Sequence, residues 1–518
     1  MSPSPLPGSL RRVLLRALLL LLLVAFSVYP TWSLAGFDGT EARRVQIALE
    51  MAANDSWLVP TLGQEPTWAK PPLHYWLLRS ILPWAGLDPL LLRLPAVLSA
   101  WLAAWAVGEL LRRWFGARAG WIGAIGIATS PIVVSVWPTA EIDPLFAALT
   151  AVSLCCLATG VARDRRSLVV AAGLLGGLAL LQKGPPYFLF AIGAWLVWWR
   201  HRRLRGFVPY ALAMIGVALC YYVPLWTLAV APAQMLTVAN DESVGRLLGY
   251  EWHHVADIPA FWVRAVLVQM PLVLWCFWEW RGARDARMDP GDLMLRMASG
   301  AAVVAVAILT VFPGRSTRYI LPNVILFTFA VAPAVAHFVG MRGPLPRFAR
   351  IGLVTTGLVG AIALVVIPFV PRLGISALGL AAAAAVLPLV CATPRQVVIA
   401  CMLLPVVASW TVGLDRAMAF PIGPRARAAA AACLKRAIVQ LGVDAKDLRT
   451  AGHFDSPLLL GLGLLPPGDE SGRRPWTSRW VLHESSDALP VPANYAERLR
   501  LVLPFKSFVL RERVGEGR

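Results

Sequence analysis

Long apolar runs alternate with short polar connections along this chain. A run of about 20 apolar residues is long enough to cross a bilayer as a helix, and counting such runs predicts about thirteen transmembrane helices. They lie near residues 10–30, 89–111, 119–137, 142–161, 167–182, 185–199, 207–228, 259–279, 297–313, 319–340, 350–370, 374–393 and 396–414. The pattern therefore predicts an all-α polytopic membrane domain over residues 1–414.

The segment 415–518 has a different pattern. An Ala-rich helical stretch from Pro424 to Leu441 is followed by short apolar runs that Gly, Pro and charged residues separate. Short runs bounded by turn residues are typical of strands in a mixed fold. We predict a small C-terminal α/β domain at 415–518, outside the cytoplasm.

The connection at 31–88 is unusually long and polar. From Thr40, a plausible N-cap, apolar residues recur with helical spacing at Val45, Ala48, Leu49 and Ala52. The opposite stripe carries Arg43, Gln46, Glu50 and Asn54. We interpret the segment as an amphipathic helix on the bilayer surface, with its polar face toward water or a ligand. The alternative is a solvated loop helix with no role beyond packing.

Composition supports the membrane assignment. The chain has 518 residues, 58% of them hydrophobic and 15% charged, and no soluble fold could cover that much apolar surface. The net charge of +19 comes largely from arginines clustered between apolar runs. Cytoplasmic loops carry such clusters, so the charge indicates orientation and not nucleic-acid binding. The N-terminus is predicted to be cytoplasmic, with an uncleaved first helix, and the loop at 31–88 lies on the other side.

Common soluble-enzyme motifs are absent from the sequence. The seven cysteines show no CxxC or Cys/His spacing, so neither a disulfide framework nor a zinc site is indicated. There is no P-loop, GxGxxG, nucleophile elbow or HExxH, which leaves nucleotide-driven transport and the corresponding hydrolase chemistry unsupported.

Unusual polar residues gather in the connections predicted to lie outside the cytoplasm. Charged groups at membrane depth usually face a cavity or a partner. Basic side chains beside carboxylates suit an anionic lipid phosphate and a reacting hydroxyl. A plainer interpretation has Lys70 and Lys183 snorkelling to the interface and Asp143 capping a helix. The set is Asp38, Glu41, Lys70, Glu141, Asp143, Lys183, Asp241, Glu242, Arg246, His253, His254, Arg315, Arg318 and Tyr319.

Several segments, taken in order, resemble a known family. They are TEARRVQIALEM, DSWLVPTL, AKPPLHYW, EIDPLF, LALLQKGP, NDESVGR and RSTRYILP, and they cover most of the first 325 residues. The chain resembles the integral-membrane glycosyltransferases of the GT-C class that use a polyprenyl-phosphate sugar donor. This group holds the lipid A aminoarabinose transferases and, more distantly, the protein O-mannosyltransferases.

The resemblance implies roles for the polar residues. Thr40 stands where the family has its presumed catalytic Asp, so either Asp38 or Glu41 is expected to replace it. Ala69 stands where the family often has an acidic residue before the lysine, which puts any metal bound through that position in doubt. A divalent metal ion is kept as a possible cofactor, and no metal ligand is assigned. The implied residues are Asp38, Glu41 and Asp143 for catalysis; Arg43, Lys70, Lys183, Arg246, Arg318 and Tyr319 for the donor phosphate; and Glu141, Glu242 and His253 for orienting sugar or acceptor.

The expected function is transfer of a sugar from a polyprenyl (undecaprenyl) phosphate to a lipid A-like lipid, a glycan or a protein. The expected location is a bacterial inner membrane, with the active site and C-terminus in the periplasm. The partners are the lipid-linked donor, the acceptor and membrane lipids, and no nucleic acid. Two alternatives remain open: a transporter or flippase of lipid-linked sugars, and a catalytically inactive family member.

Overall fold

The fold was obtained as a computed structural model. It describes residues 8–34, 37, 40–62, 65–200, 206–227, 290–311, 317–340, 375–418, 448–451, 480–484, 495–502 and 507–513, with isolated positions at 258, 350, 354, 358, 434, 436, 438–441 and 443. Most of the described chain is helical. Helices and strands are numbered below in chain order over these residues.

Most helices of the described chain follow the predicted apolar runs, whereas two of them, Thr40–Ala53 and Leu73–Ala85, lie in the predicted connection at 31–88. They are α1 (Gly8–Trp32), α2 (Thr40–Ala53), α3 (Leu73–Ala85), α4 (Pro89–Leu92), α5 (Leu94–Phe115), α6 (Ala117–Ala128), α7 (Pro131–Val136), α8 (Ile142–Ala162), α9 (Arg166–Lys183), α10 (Pro186–Arg200), α11 (Phe207–Thr227), α12 (Pro290–Val311), α13 (Leu321–Gly340), α14 (Ile375–Val390) and α15 (Pro394–Met418). A 3-10 turn at Thr317–Ile320 precedes α13.

Eight segments of the described chain are long and apolar enough to cross a membrane. They confirm a multi-pass membrane protein. The predicted runs 142–161, 167–182 and 207–228 agree with α8, α9 and α11 to within a residue or so. The run at 259–279 and nearly all of that at 350–370 lie outside the described residues, so the count of about thirteen stays a prediction.

Two predicted spans are interrupted. The run at 119–137 divides into α6 and α7 at Pro131, the first residue of α7. Proline lacks an amide hydrogen and clashes with the preceding turn, so a helix ends before it and a new one begins with it. The run at 89–111 divides at Arg93, which ends α4, and α5 begins at the next residue.

The chain forms two compact units, which are described separately. The first contains residues 1–32, 69–71 and 94–415. Its central helix is α8, which packs against α5, α9, α10, α12 and α13. Small residues let the helices approach closely: a Cβ at Gly193 would overlap the carbonyl oxygen of Gly300. Close backbone approach through Gly and Ala is how helices associate in lipid, where apolar side chains gain little by leaving the tails.

The second unit contains residues 33–68, 72–93 and 416–518. Helices α2 and α3 pack together beside a two-residue hairpin, β1 (Thr61–Leu62) with β2 (Glu65–Pro66). Four strands, β3 (Leu448–Ala451), β4 (Trp480–Glu484), β5 (Tyr495–Val502) and β6 (Ser507–Arg513), form a sheet in the order β3-β4-β6-β5. The sheet supports strands in the tail, and a separate α/β domain at 415–518 stays a prediction.

Helix α2 is confirmed, but its predicted polar face does not face water. Gln46 is 2% exposed and Glu50 is 0% exposed. Gln46 Nε2 donates a hydrogen bond of 3.0 Å to Glu50 Oε1. The two side chains lie one helical turn apart and satisfy each other by this hydrogen bond, so both can be buried. The amphipathic interpretation is therefore wrong for these two residues.

Candidate active site

The start of α8 carries two carboxylates. Glu141 is the N-cap residue, with an extended backbone, and Asp143 lies in the first turn. The unpaired amides and the dipole at a helix N-terminus favour negative charge there. The preceding turn is fixed by Trp137, fully buried, whose indole Nε1 donates to Ala96 O and Ser99 Oγ, each at 3.0 Å.

Helix α9 delivers a lysine to the same place. Lys183 is its last residue, and Gly184 follows with φ of +82°, a conformation that favours glycine. The buried Gln182 donates from Nε2 to Ile142 O at 3.0 Å, which ties the end of α9 to the start of α8. As a result, Lys183 Nζ forms an ion pair with Asp143 Oδ1, and both side chains are only about one-tenth exposed.

The 3-10 turn before α13 completes the group. Arg318 Nη1 lies 3.3 Å from Glu141 Oε1, and its Nε lies 4.0 Å from Asp143 Oδ2. The ring of Tyr319 lies 4.3 Å from Lys183 Nζ, a cation–π distance. We call Glu141, Asp143, Lys183, Arg318 and Tyr319 the acid–base cluster. Its most accessible member is the Arg318 side chain, 39% exposed.

Lys70 belongs to the same compact unit. Pro71, the next residue, packs against Gly184: a Cβ added to Gly184 would lie 3.8 Å from Pro71 Cγ. Lys70 directly precedes Pro71 and Lys183 directly precedes Gly184, so this contact brings two distant lysine positions of the chain close together. The chain at Lys70 therefore passes close to the end of α9, and basic residues on both segments suit an anionic phosphate.

Glu41 has a different environment, in the second unit. Arg93 Nε and Nη2 donate to Glu41 Oε1 and Oε2 at 2.6 and 2.8 Å, and the two side chains are 3% and 2% exposed. Arg93 Nη1 also donates to Leu34 O at 2.6 Å. The Phe37 ring lies 5.9 Å from the same guanidinium. This is a bidentate, buried ion pair, the arrangement for which the planar guanidinium is best suited.

The sequence analysis did not single out Arg93. The sequence did contain a signal for Arg93. This arginine interrupts the apolar run predicted as a span at 89–111, and it lies far in sequence from the arginine clusters that mark the cytoplasmic side. An ionisable residue in such a run usually has a partner. Its partner, Glu41, is 52 residues away in the chain, so no spacing rule could have named it.

The remaining predicted residues divide into two groups. Arg43 is half-buried on α2 beside Arg44, whose Nη1 donates to Tyr75 Oη at 3.2 Å. Four of the predicted site residues lie outside the described part of the chain: Asp38, Glu242, Arg246 and His253.

The cluster does not have the composition of a metal centre. Within the described residues, no group of three or more His, Cys, Asp or Glu side chains is arranged to hold a metal ion. A divalent cation prefers several oxygen ligands. Here Glu141 and Asp143 already contact Arg318 and Lys183, which would compete for the same oxygens. The described residues therefore fit carboxylates neutralised by basic side chains.

Comparisons with a family model, with a curated protein and with solved structures all give matches. Residues 69–226 match the family model of dolichyl-phosphate-mannose-protein mannosyltransferases. A relative from Edwardsiella ictaluri, undecaprenyl phosphate-alpha-4-amino-4-deoxy-L-arabinose arabinosyl transferase, is 26% identical over 370 residues, which cover 68% of this chain and 65% of the relative. The match thus spans just under two thirds of that protein.

Two solved structures share the fold over nearly the whole chain. ArnT from Cupriavidus metallidurans bound to undecaprenyl phosphate has a TM-score of 0.72 at 17% identity, covering 99% of both chains. The apo state of the same protein has a TM-score of 0.67 at 20% identity, covering 98% of this chain and 99% of the other.

The fold is the one that these two ArnT structures share. As its motifs predicted, the chain resembles the GT-C membrane glycosyltransferases of the lipid A aminoarabinose transferase type. The apolar helices and these relatives identify a multi-pass protein of a bacterial inner membrane.

Proposed function

We propose that this protein transfers a sugar, a hexose or a pentose, from a polyprenyl phosphate such as undecaprenyl phosphate to an acceptor on the periplasmic face. The acceptor is a lipid A-like lipid, a glycan or a protein. The observation that carries the proposal is the acid–base cluster, where the ends of α8 and α9 and the turn before α13 bring two carboxylates and two basic residues together. The similarity to aminoarabinose transferases supports the lipid-linked donor.

The reaction has a simple balance. An acceptor oxygen or nitrogen forms a bond to the anomeric carbon, and the bond from that carbon to the phosphate oxygen breaks. The acceptor proton passes to a carboxylate, and the bonding electrons leave with the polyprenyl phosphate. The phosphate therefore gains negative charge in the transition state, and positioned positive groups stabilise that charge.

We assign Lys183, Arg318 and Lys70 to the phosphate and Tyr319 to its flank, with Arg43 and Arg246 as further basic contacts. Asp143 and Glu141 hold Lys183 and Arg318 in place and orient sugar hydroxyls, with Glu242 and His253 on the acceptor. The cluster geometry supports the first part, because Lys183 and Arg318 come from elements far apart in sequence yet share Asp143.

For the carboxylate of the first loop we favour Asp38 over Glu41. Both oxygens of Glu41 accept hydrogen bonds from Arg93, and the pair is almost fully buried. A general base must reach the proton that it removes. We therefore assign Glu41 and Arg93 to holding the start of α2. This leaves Asp38 as the general base, in place of the Asp that the family has at the position of Thr40.

The test is transfer from a synthetic polyprenyl-phosphate sugar, measured by mass spectrometry of the product. Asp38→Asn, Lys70→Ala and Lys183→Gln are expected to lower the rate at least tenfold each, since each removes an acid–base or charge contribution to the transition state. Wild-type protein that binds the donor but forms no product would favour an inactive relative. Donor movement across vesicles without product would favour the transporter.

The position of the charges favours the enzyme over the transporter. A transporter of a lipid-linked sugar places its charged site near the membrane midplane in broken helices. In the described chain, Asp143 lies in the first turn of α8 and Lys183 is the last residue of α9. Both residues therefore lie at helix ends, where they could contact a lipid phosphate at the membrane–water interface.

A further inference from the structure

The opposite end of α8 carries a second basic group. Asp143 lies in the first turn of α8, and Arg163 caps its last turn, with its backbone N–H donating to Thr159 O. Twenty residues of helix separate the two by about 30 Å. Whatever Arg163 contacts is therefore separate from the acid–base cluster.

Two arginines lie against one tryptophan at this end. The guanidinium of Arg163 is 4.4 Å from the Trp114 ring centroid, and that of Arg113 is 5.8 Å from it. Within the described residues, no carboxylate pairs with either arginine. Glu109, the acid nearest in sequence to Arg113, instead pairs with Arg112 at 2.6 Å and with Arg16 at 3.3 Å. Asp164, which follows Arg163 in the chain, is exposed and forms no described ion pair with it. Two like charges are thus held close together with no described counter-ion.

Buried donors at the same place lack an acceptor. Trp114 Nε1 and Arg163 Nε are buried and make no hydrogen bond with a described group. Buried polar groups without a partner are uncommon and destabilising. Both are donors, so the missing group is an acceptor, and the adjacent positive charge favours an anion.

A cavity of about 320 Å³ adjoins these groups between α5 and α8. Its wall on α5 is formed by Ala106, Leu110 and Arg113, with Glu109 and Arg112 beside them. Glu109 is paired with Arg112 and Arg16, so the wall keeps a net positive charge. Cys156 closes the other side, and it precedes Arg163 by two helical turns, on the same face of α8. The cavity therefore runs from a basic end toward an apolar end along the membrane-spanning helices.

We propose that this pocket binds the phosphate headgroup of an anionic phospholipid, with the Arg113, Trp114 and Arg163 side chains on the phosphate and the apolar wall along the first part of an acyl chain. Basic pockets between transmembrane helices are suited to such headgroups. The apolar wall favours a lipid over free phosphate, which would use only the basic end. The bound lipid would join the end of α5 to the end of α8.

The test uses delipidated full-length protein in a neutral detergent. Phosphatidylglycerol, phosphatidylcholine and inorganic phosphate are added in turn, and lipid binding is measured by native mass spectrometry and by the shift in unfolding temperature. Phosphatidylglycerol is expected to bind wild type at least tenfold more tightly than phosphatidylcholine. Equal stabilisation by inorganic phosphate would overturn the lipid assignment.

A matched pair of double variants locates the site. Arg113→Gln with Arg163→Gln is expected to lower phosphatidylglycerol affinity at least tenfold, since each lost charge-assisted contact is worth roughly tenfold. Arg165→Gln with Arg166→Gln removes the same charge from neighbours that neither line the cavity nor contact Trp114. This control is expected to leave the affinity within about twofold, because exposed charges contribute little. An equal loss in both variants would overturn the pocket in favour of general surface attraction.

A third variant covers the case in which the first does not fold. Trp114→Phe keeps an aromatic ring for the two arginines and removes only the indole N–H. It is expected to bind phosphatidylglycerol several-fold more weakly than wild type while keeping the selectivity over phosphatidylcholine. Unchanged affinity would contradict the role of the unpaired Nε1.

Discussion

Two carboxylate–cation pairs in this protein, Glu41–Arg93 and Asp143–Lys183, differ in what surrounds them. Glu41 and Arg93 are 2% and 3% exposed, and both carboxylate oxygens accept from a single guanidinium. Asp143 and Lys183 are about one-tenth exposed, and Asp143 is shared with Arg318, which is 39% exposed. The first pair is sealed, whereas the second belongs to a group that solvent reaches.

This difference in exposure separates charges that stabilise the fold from charges that are accessible to a substrate. A sealed pair offsets its desolvation mainly through the contact between its two charges, so removing one partner leaves a buried charge without its counter-ion. A shared, partly exposed group can exchange one cation–anion contact for another at smaller cost. We therefore expect the sealed pair to control stability and the acid–base cluster to control transfer.

Arg93→Ala is expected to have the largest effect. Glu41 would be left buried without its partner, a change that typically destabilises by about 3–5 kcal/mol. Thermal unfolding of the purified protein in detergent measures this. The double variant Glu41→Gln with Arg93→Met is the control, and it should recover most of the loss because neither buried charge remains. A wild-type unfolding temperature for Arg93→Ala alone would contradict the sealed-pair assignment.

Lys183→Gln is expected to reduce transfer by roughly 10²–10³-fold, the usual effect of removing one group that stabilises a developing charge. Its effect on unfolding should be smaller than that of Arg93→Ala, because the Asp143 carboxylate keeps Arg318 within 4.0 Å. Initial rates with a synthetic lipid-phosphate donor give the result. A variant that transfers at the wild-type rate would remove Lys183 from the phosphate site.

Arg318→Gln is expected to reduce transfer by about tenfold, in line with one hydrogen bond to a charged group. At 39% exposed, Arg318 is screened by solvent more than Lys183 is. The wild-type rate should therefore fall with added salt more steeply than the rate of the variant. Parallel salt dependences in the two proteins would argue against a direct contact with the phosphate.

Asp55→Asn is expected to have the smallest effect. Arg79 Nη2 lies 2.6 Å from Asp55 Oδ1, but the Asp55 side chain is 94% exposed. Exposed pairs contribute at most about 1 kcal/mol. The Arg79 guanidinium also stacks on the Trp57 ring at 4.0 Å, a contact that the substitution keeps. Unfolding should shift by only a few degrees, and a loss as large as that of Arg93→Ala would break the distinction between exposed and sealed pairs.

The sequence predicted the helices of the membrane domain well, because apolar runs end where charge begins. α8, α9 and α11 illustrate this, and Asp143, Lys183 and Arg318 were all chosen from their places in the predicted connections. Pro131 marked a break in the run at 119–137 that the apolar count alone overlooked.

The partners of the buried polar residues could not be predicted from the sequence. Nothing in the spacing of Glu41 and Arg93 joins them, and Gln46 was predicted as exposed although its amide satisfies Glu50 inside the fold. Each is a case in which a polar residue is buried because a specific partner compensates it. The periodicity of a sequence predicts which face of a helix is polar, but it does not predict which distant residue will pair with a polar side chain.

The most direct test of this account is a single comparison of transfer rates from a synthetic polyprenyl-phosphate sugar, using Asp143→Asn and the double variant Glu41→Gln with Arg93→Met. The account predicts that Asp143→Asn loses at least about a hundredfold while its unfolding temperature falls less than that of Arg93→Ala. The double variant should keep its rate within about tenfold, because it removes no group assigned to the reaction. The reverse result, with Asp143→Asn active and the double variant folded but inactive, would contradict the central claim.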